Sequence, residues 1–167
     1  LGELPKGYDH KYIYSHAGYN MKITDMQAAC GLAQISRLKT FIKSRKSNFK
    51  YIYDRLKPLE EFLILPEATK NSDPSWFGFP ITLRENLSVT RNQLLRYLDA
   101  KKIGFRLLFS GNVTKQPYMM EKKFRTVGNL KNTSTIMNNT FWIGVYPALV
   151  REELDFVVNQ IKKFMLK

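Results

Sequence analysis

The sequence predicts an α+β domain built around a small antiparallel or mixed sheet. Two Thr-x-x-Gln capping boxes, at Thr24 and Thr90, each mark the start of a helical pattern. Short segments rich in aromatic and β-branched residues lie between the helical patterns and predict strands. The resulting order is helix, strand, strand, helix, strand, helix, strand, helix, which is typical of an α+β fold. With 44% hydrophobic residues in 167, the chain can bury the core of one such domain.

The first helical pattern covers residues 24–57. Thr24 is the expected N-cap, apolar residues then recur at helical spacing, and Pro58 ends the pattern. We expect one long amphipathic helix or two in succession. Small residues at 28–31 would let another backbone approach closely, so this part is expected to pack against another domain or subunit, with Cys30 as a buried, inert thiol.

The strands are predicted from composition and flanking turns. The candidate segments are 62–65, 76–83, 105–109 and 141–145. Pro80 favours an edge position or a bulge for the second of them, because proline cannot donate to a sheet ladder.

The remaining segments are predicted as three helices and one long loop. The helices are expected near 91–102, 132–138 and 152–164, and Glu152 and Lys163 match the dipole of the last helix. Residues 110–130 form the long polar loop, and loops of this length are often functional.

The chain is strongly basic, with 27 Lys and Arg against 14 Asp and Glu and a net charge of +13. Such a surface attracts polyanions. Because the charges are spread along the chain, the alternatives are solvated surface lysines, a phosphate-bearing small ligand and, with less support, nucleic acid.

The cellular compartment and the processing of the chain are inferred only from features that the sequence lacks. A single cysteine excludes an internal disulfide framework and a multi-cysteine metal site, and it fits a cytoplasmic setting. No apolar run is long enough to cross a bilayer, and residues 1–5 do not have the pattern of a signal peptide. Because the sequence does not begin with Met, we expect a processed or truncated chain.

Motifs with a known chemical mechanism are few. The sequence has no P-loop, no GxGxxG after a strand and no HExxH. His10 and His16 have no cysteine or carboxylate pair that would complete a metal site, so no metal ligands are predicted. Taken alone, these patterns indicate a basic α+β domain that binds to something larger.

One stretch carries a family resemblance. Residues 18–34, GYNMKITDMQAACGLAQ, resemble the G-Y-N-x-R-x-x-x-x-Q-A-A-x-G-L-x-Q motif of the DegT/StrS sugar aminotransferase family. The resemblance implies the C-terminal small domain of the type I pyridoxal-phosphate aminotransferase fold. It also implies three parts: a loop-like segment at 1–23, a long connecting helix at 24–57 and a C-terminal α+β domain at 58–167.

Within that family, the chain is most similar to the branch of CDP-4-keto-6-deoxyglucose 3-dehydrases. The segments that carry this similarity are 4–12, 73–80, 106–109, 111–118 and 139–147. It implies removal of the C3 hydroxyl from a CDP-hexulose for lipopolysaccharide dideoxysugars. It further implies pyridoxamine or pyridoxal phosphate, a 2Fe–2S cluster, a homodimer and a flavin and iron–sulfur reductase partner. The anchoring His or Lys and the cluster cysteines are expected upstream, so no catalytic residue is expected here.

The resemblance also suggests roles for particular residues. Asn20 aligns with the family residue that reaches the cofactor phosphate of a neighbouring subunit, and Lys22 stands where the wider family has arginine. Lysine keeps the charge but cannot make a bidentate contact. Substrate-binding or active-site-lining residues are expected in and beside the strands and long loop: Phe77, Arg106, Asn112 and Gln116.

Two alternatives remain open. One is an ordinary pyridoxal-phosphate aminotransferase that acts on a nucleotide-linked keto-sugar. The other, from a different class, is a basic module that binds nucleic acid or another polyanion.

Overall fold

A computed structural model describes residues 2–18 and 23–166 of the chain. Five helices and four strands occur there in the order α1 (Asp25–Gln34), α2 (Leu38–Leu56), β1 (Leu63–Ile64), β2 (Gly78–Leu83), α3 (Arg91–Ala100), β3 (Phe105–Leu107), α4 (Lys131–Asn139), β4 (Thr140–Gly144) and α5 (Arg151–Met165). No helix of this described part is long and apolar enough to span a bilayer.

The four strands form one antiparallel sheet in the order β1-β2-β4-β3. The predicted α+β class with a small sheet and a long helical stretch is therefore confirmed. Pro80 lies in β2, which is central by strand order. Because β1 pairs only with Thr82 and Leu83, Pro80 has a strand partner on one side alone, opposite Trp142. This local edge accommodates a residue that has no N–H to donate.

The predicted helical stretch contains a break. A 3-10 turn at Ile35–Arg37 separates α1 from α2. Thr24 and Gln27 form the expected capping box, and Thr90 and Gln93 form the second. The division into parts at 1–23, 24–57 and 58–167 stays a prediction.

Only α2 of the first two helices contributes to the core. Its Ile52 and Leu56 are fully buried, whereas α1 has no buried residue. Cys30 is exposed, so the expectation of a buried thiol is wrong for this structure: the described residues bury no side chain of α1.

The core lies between one face of the sheet and the helices. Phe79, Ile81, Phe141 and Ile143 are buried at alternating positions of β2 and β4. Helix α2 packs against β2 and α5, and α3 packs against α5. The opposite face of the sheet therefore carries the residues between them, such as Pro80 and Trp142. The predicted site residue Arg106 lies on this face, opposite Trp142.

Candidate active-site cleft

The outer face of the sheet centres on Trp142. In the antiparallel register, Trp142 of β4 lies opposite Pro80 of β2 on one side and Arg106 of β3 on the other. Directly paired residues project to the same face of a sheet. Trp142 Nε1 donates a hydrogen bond to the Leu107 carbonyl at 3.1 Å, which sets the orientation of the indole.

Phe77 is held at this face by contacts of its own backbone and of its neighbour. The Trp76 ring stacks on Phe49 of α2, with centroids 4.2 Å apart, and Arg45 donates to the carbonyls of Trp76 and Phe77 at 3.3 Å. The Phe77 side chain is 67% exposed, and its ring lies 5.0 Å from that of Trp142. The backbone of Phe77 is thus held in place, whereas most of its ring is accessible to a ligand.

An apolar cavity of about 190 Å³ opens between these aromatic residues. We call it the aromatic cleft. Its lining includes Phe77, Gly78, Pro80, Leu108, Phe109 and Trp142. Larger cavities occur elsewhere, for example one of about 490 Å³ lined mainly by α5 and residues 102–104, but that one contains none of the predicted site residues.

Arg106 lies beside the cleft with its charge available. Its side chain is exposed and donates to the Phe105 carbonyl at 3.0 Å, and none of the ion pairs found among residues 2–18 and 23–166 includes it. Burial raises the pKa of the nearby Tyr12 hydroxyl, and the positive charge of Arg106 opposes that rise. An arginine without a carboxylate partner can bind a phosphate or diphosphate through its fork of donors.

Asn112 and Gln116 lie in the interior of the long loop. Asn112 is 2% exposed; its side chain accepts from the Thr114 amide and hydroxyl and donates to the Ser134 hydroxyl. Gln116 is fully buried, and its Nε2 donates to the Tyr12 and Ser110 carbonyls, each at 2.9 Å. Both side chains are satisfied by intramolecular hydrogen bonds.

The predicted residues thus fall into three groups. The structure brings Phe77 and Arg106 to one sheet face, whereas Asn112 and Gln116 are buried in the adjoining loop. Asn20 and Lys22 lie outside the described residues. Sequence reasoning missed Trp142 and Phe109 as cleft residues, although the strand alternation that buries Phe141 and Ile143 could have placed Trp142 on the outer face.

Arg91 is a further buried polar residue that sequence reasoning did not single out. Arg91 is 5% exposed, and its guanidinium donates to the carbonyls of Met137 and Thr140 at the C-terminal end of α4. Burial lowers the Arg91 pKa, and Tyr8 opposes this. Since a cation is favoured at a helix C-terminus, we interpret Arg91 as a cap that secures α4.

The class of protein follows from comparison with known families. The family profile described as DegT/DnrJ/EryC1/StrS aminotransferase matches residues 4–162, and the chain belongs to this family. The resemblance that the motif at 18–34 suggested is therefore confirmed.

Two curated relatives cover nearly all of the chain. It is 60% identical over 164 residues to lipopolysaccharide biosynthesis protein RfbH of Salmonella typhimurium, covering 98% of the chain and 38% of that protein. It is 44% identical over 167 residues to dTDP-4-dehydro-2,6-dideoxy-D-glucose 3-dehydratase of Saccharopolyspora spinosa, covering 100% of the chain and 36% of that protein. The chain thus spans less than two fifths of the length of either relative.

Solved structures show the same fold. The Escherichia coli GDP-4-keto-6-deoxy-D-mannose-3-dehydratase with bound hydrated PLP matches with a TM-score of 0.75 at 24% identity, covering 93% of this chain and 39% of the other. A GDP-4-keto-6-deoxymannose-3-dehydratase with bound GDP-perosamine matches with a TM-score of 0.76 at 25% identity, covering 93% and 41%. The expected aminotransferase-type fold is confirmed.

Proposed function

We propose that this chain is the C-terminal part of a nucleotide-sugar 3-dehydratase that depends on pyridoxamine or pyridoxal phosphate. The observation that carries the proposal is the high identity to two relatives over nearly the whole chain. The chain is 60% identical to RfbH and 44% identical to a dTDP-sugar 3-dehydratase, whereas the GDP-sugar 3-dehydratases, the sugar transaminases and the perosamine synthase that match it are 24–28% identical. The substrate we propose is CDP-4-keto-6-deoxyglucose, and the reaction removes its C3 hydroxyl.

The cofactor would act as an electron sink that permits the C3–oxygen bond to break. In this proposal, Asn20 offers an amide and Lys22 a positive charge to the cofactor phosphate, near the N-terminus of α1 that Thr24 caps. In this proposal, the anchoring His or Lys and the cysteines of a 2Fe–2S cluster lie upstream of this chain, and a flavin and iron–sulfur reductase supplies electrons.

The chain's own residues bind and orient the sugar nucleotide. The aromatic cleft offers the exposed ring of Phe77 to a flat or apolar part of the ligand. Arg106 offers its unpaired charge to the diphosphate. We assign Asn112 and Gln116 to positioning the loop, because their polar atoms already have intramolecular partners.

The homodimer is part of the same proposal. Four large apolar side chains of α1, of the turn after it and of the first position of α2 are half or more exposed: Met26, Leu32, Ile35 and Leu38. An exposed apolar stripe of this kind is expected to pack against the rest of the enzyme or its second subunit. This arrangement would let the segment that carries Asn20 serve the cofactor of a neighbouring subunit.

Substitution of Asn20 by Ala in the full-length enzyme tests the cofactor assignment. We expect the Kd for pyridoxamine phosphate to rise about tenfold, because one charge-assisted hydrogen bond to phosphate is lost. Asn132→Ala, an exposed helix position, is the matched control and should leave that Kd unchanged. An unchanged Kd in Asn20→Ala would contradict the role.

The products of the full-length enzyme separate dehydration from transamination. With CDP-4-keto-6-deoxyglucose, the dehydratase assignment predicts loss of the C3 oxygen, detected by mass spectrometry. An amino sugar formed at the expense of an amino-acid donor would instead establish the transaminase alternative.

A further inference from the structure

We propose that Phe109 contacts the nucleotide in the aromatic cleft and that Tyr8 and Gln116 are the residues that position it. This inference rests on the proposed function, because it takes a pyrimidine nucleoside diphosphate as the occupant of the cleft. It adds Phe109 as a ligand-contacting residue and Tyr8 as a positioning residue, and it extends the positioning role of Gln116 to the turn at Phe109.

The first observation is the backbone of Phe109. Its φ of 44° lies in the left-handed region, where a bulky side chain is strained and glycine is favoured. The side chain is 57% exposed, so burial in this chain does not offset the strain. Strained residues persist where the surroundings hold them, and they concentrate at ligand sites. Folding stability alone would favour glycine at this position.

The second observation is the set of contacts that holds this backbone. The Tyr8 hydroxyl donates to the Phe109 carbonyl at 3.1 Å, and Gln116 Nε2 donates to the next carbonyl, that of Ser110, at 2.9 Å. The Phe109 amide donates to the Leu107 carbonyl at 2.9 Å. The consecutive carbonyls of Phe109 and Ser110 are therefore bound by buried side chains, and the Phe109 amide is bound within the turn.

Gly111 completes the turn. Its φ is 62°, and a Cβ there would come within 2.8 Å of the Tyr8 hydroxyl and 2.7 Å of Met137 Cγ. The turn is thus packed too closely against Tyr8 and α4 for a side chain at this position. This packing leaves Phe109 little freedom to relax into an ordinary conformation.

The third observation is where the strained side chain lies. Phe109 lines the same cavity as Phe77 and Trp142, and Arg106 stands opposite Trp142 in the sheet. Aromatic rings stack on a nucleobase, and a guanidinium suits a diphosphate. The combination fits a ligand with a flat ring at one end and two phosphates beside it.

Phe109→Gly in the full-length enzyme tests the contact, with CDP as the probe in a calorimetric titration. We expect the Kd for CDP to rise about 5- to 100-fold, the range for loss of one base–aromatic stack. The Tm should stay equal or rise, since glycine relieves the strain. This pairing of weaker binding with undiminished stability is not expected of a merely structural residue.

Asn86→Gly is the matched control. Asn86 also has a positive φ, of 66°, but it is an exposed residue between β2 and α3 and does not line the cleft. The Asn86→Gly enzyme should bind CDP with the Kd of the wild-type enzyme. A Phe109→Gly enzyme that binds CDP as tightly as the wild type would overturn the inference while leaving the proposed function intact. A wild-type enzyme that binds no CDP would overturn both.

Tyr8→Phe and Gln116→Met test the positioning roles. Each should weaken CDP binding although neither side chain lines the cleft. Asn48→Leu is the control for Gln116→Met. The Asn48 side-chain amide is also buried, and it donates to the Tyr146 carbonyl at 3.0 Å, outside the cleft. It should lower the Tm but leave CDP affinity unchanged. Equal effects of Gln116→Met and Asn48→Leu on CDP affinity would refute the positioning role.

Discussion

The indole of Trp142 occupies the space that a side chain at Gly78 would need. A Cβ at Gly78 would lie 2.3 Å from Trp142 Cε3, and a second ring carbon would be 2.9 Å away. The two residues are on neighbouring strands and on the same sheet face. The absence of a side chain at Gly78 is thus what lets the indole take this position in the lining of the aromatic cleft.

Gly78→Ala should therefore displace the Trp142 ring. We expect a loss of about 1–3 kcal/mol in the free energy of unfolding, the usual cost of overpacking. Chemical denaturation of the full-length protein, followed by tryptophan fluorescence, measures it. Gly104→Ala is the control, because a Cβ there meets nothing within 4 Å. Equal stability of the two variants would show that the indole moves aside freely.

Helices α2 and α5 are joined by a polar cluster, and its loss should be measurable. Asp155 Oδ1 accepts from the Tyr51 hydroxyl at 2.5 Å and from Arg55 at 2.7 Å, and the Arg151 guanidinium lies 3.7 Å from the centroid of the Tyr51 ring. Asp155→Asn should cost about 1 kcal/mol, since the groups are partly exposed and solvent screens the charges.

The control for this cluster is the ion pair between Lys50 and Asp54 on α2. Both side chains are more than half exposed. Asp54→Asn should change the free energy of unfolding by less than about 0.5 kcal/mol. Thermal denaturation of both variants measures this difference. A larger loss of stability in Asp54→Asn than in Asp155→Asn would contradict the role of the Asp155 cluster in joining α2 and α5.

Tyr8 should make stability depend on alkaline pH. Burial raises the pKa of its hydroxyl above the ordinary value, although Arg91 opposes the rise. Because the folded-state pKa is the higher one, the stabilisation is fully present below the unfolded-state pKa of about 10 and is lost as pH rises through the folded-state value. The ionised hydroxyl also cannot donate to the Phe109 carbonyl.

Tyr8→Phe should remove this contribution. Its Tm should therefore fall less steeply than that of the wild type above about pH 10. In an ultraviolet titration of the tyrosines, the variant should lack one of the hydroxyl groups whose pKa is raised. An unchanged alkaline slope, with the full set of late-titrating tyrosines, would show that the Tyr8 hydroxyl titrates normally.

The sequence by itself determined the local elements and the family. Both capping boxes form as predicted because they need only residues three apart in the chain. The strand segments, the last helix and the motif at 18–34 are also local patterns, and the matched family bears out the resemblance. Such features need no knowledge of distant contacts.

Only the tertiary structure decided which predicted site residues are free to bind a ligand. Arg106 of β3 and Phe77, which directly precedes β2, both come close to Trp142 because β2 and β3 pair with β4, a register that joins residues far apart in the chain. Gln116, by contrast, is bound to the Tyr12 carbonyl and the Tyr14 amide, about a hundred residues away. A polar residue in a loop sequence can be a ligand-binding amide or a buried one. The sequence does not distinguish the two, because the hydrogen-bond partners of a buried amide come from distant segments.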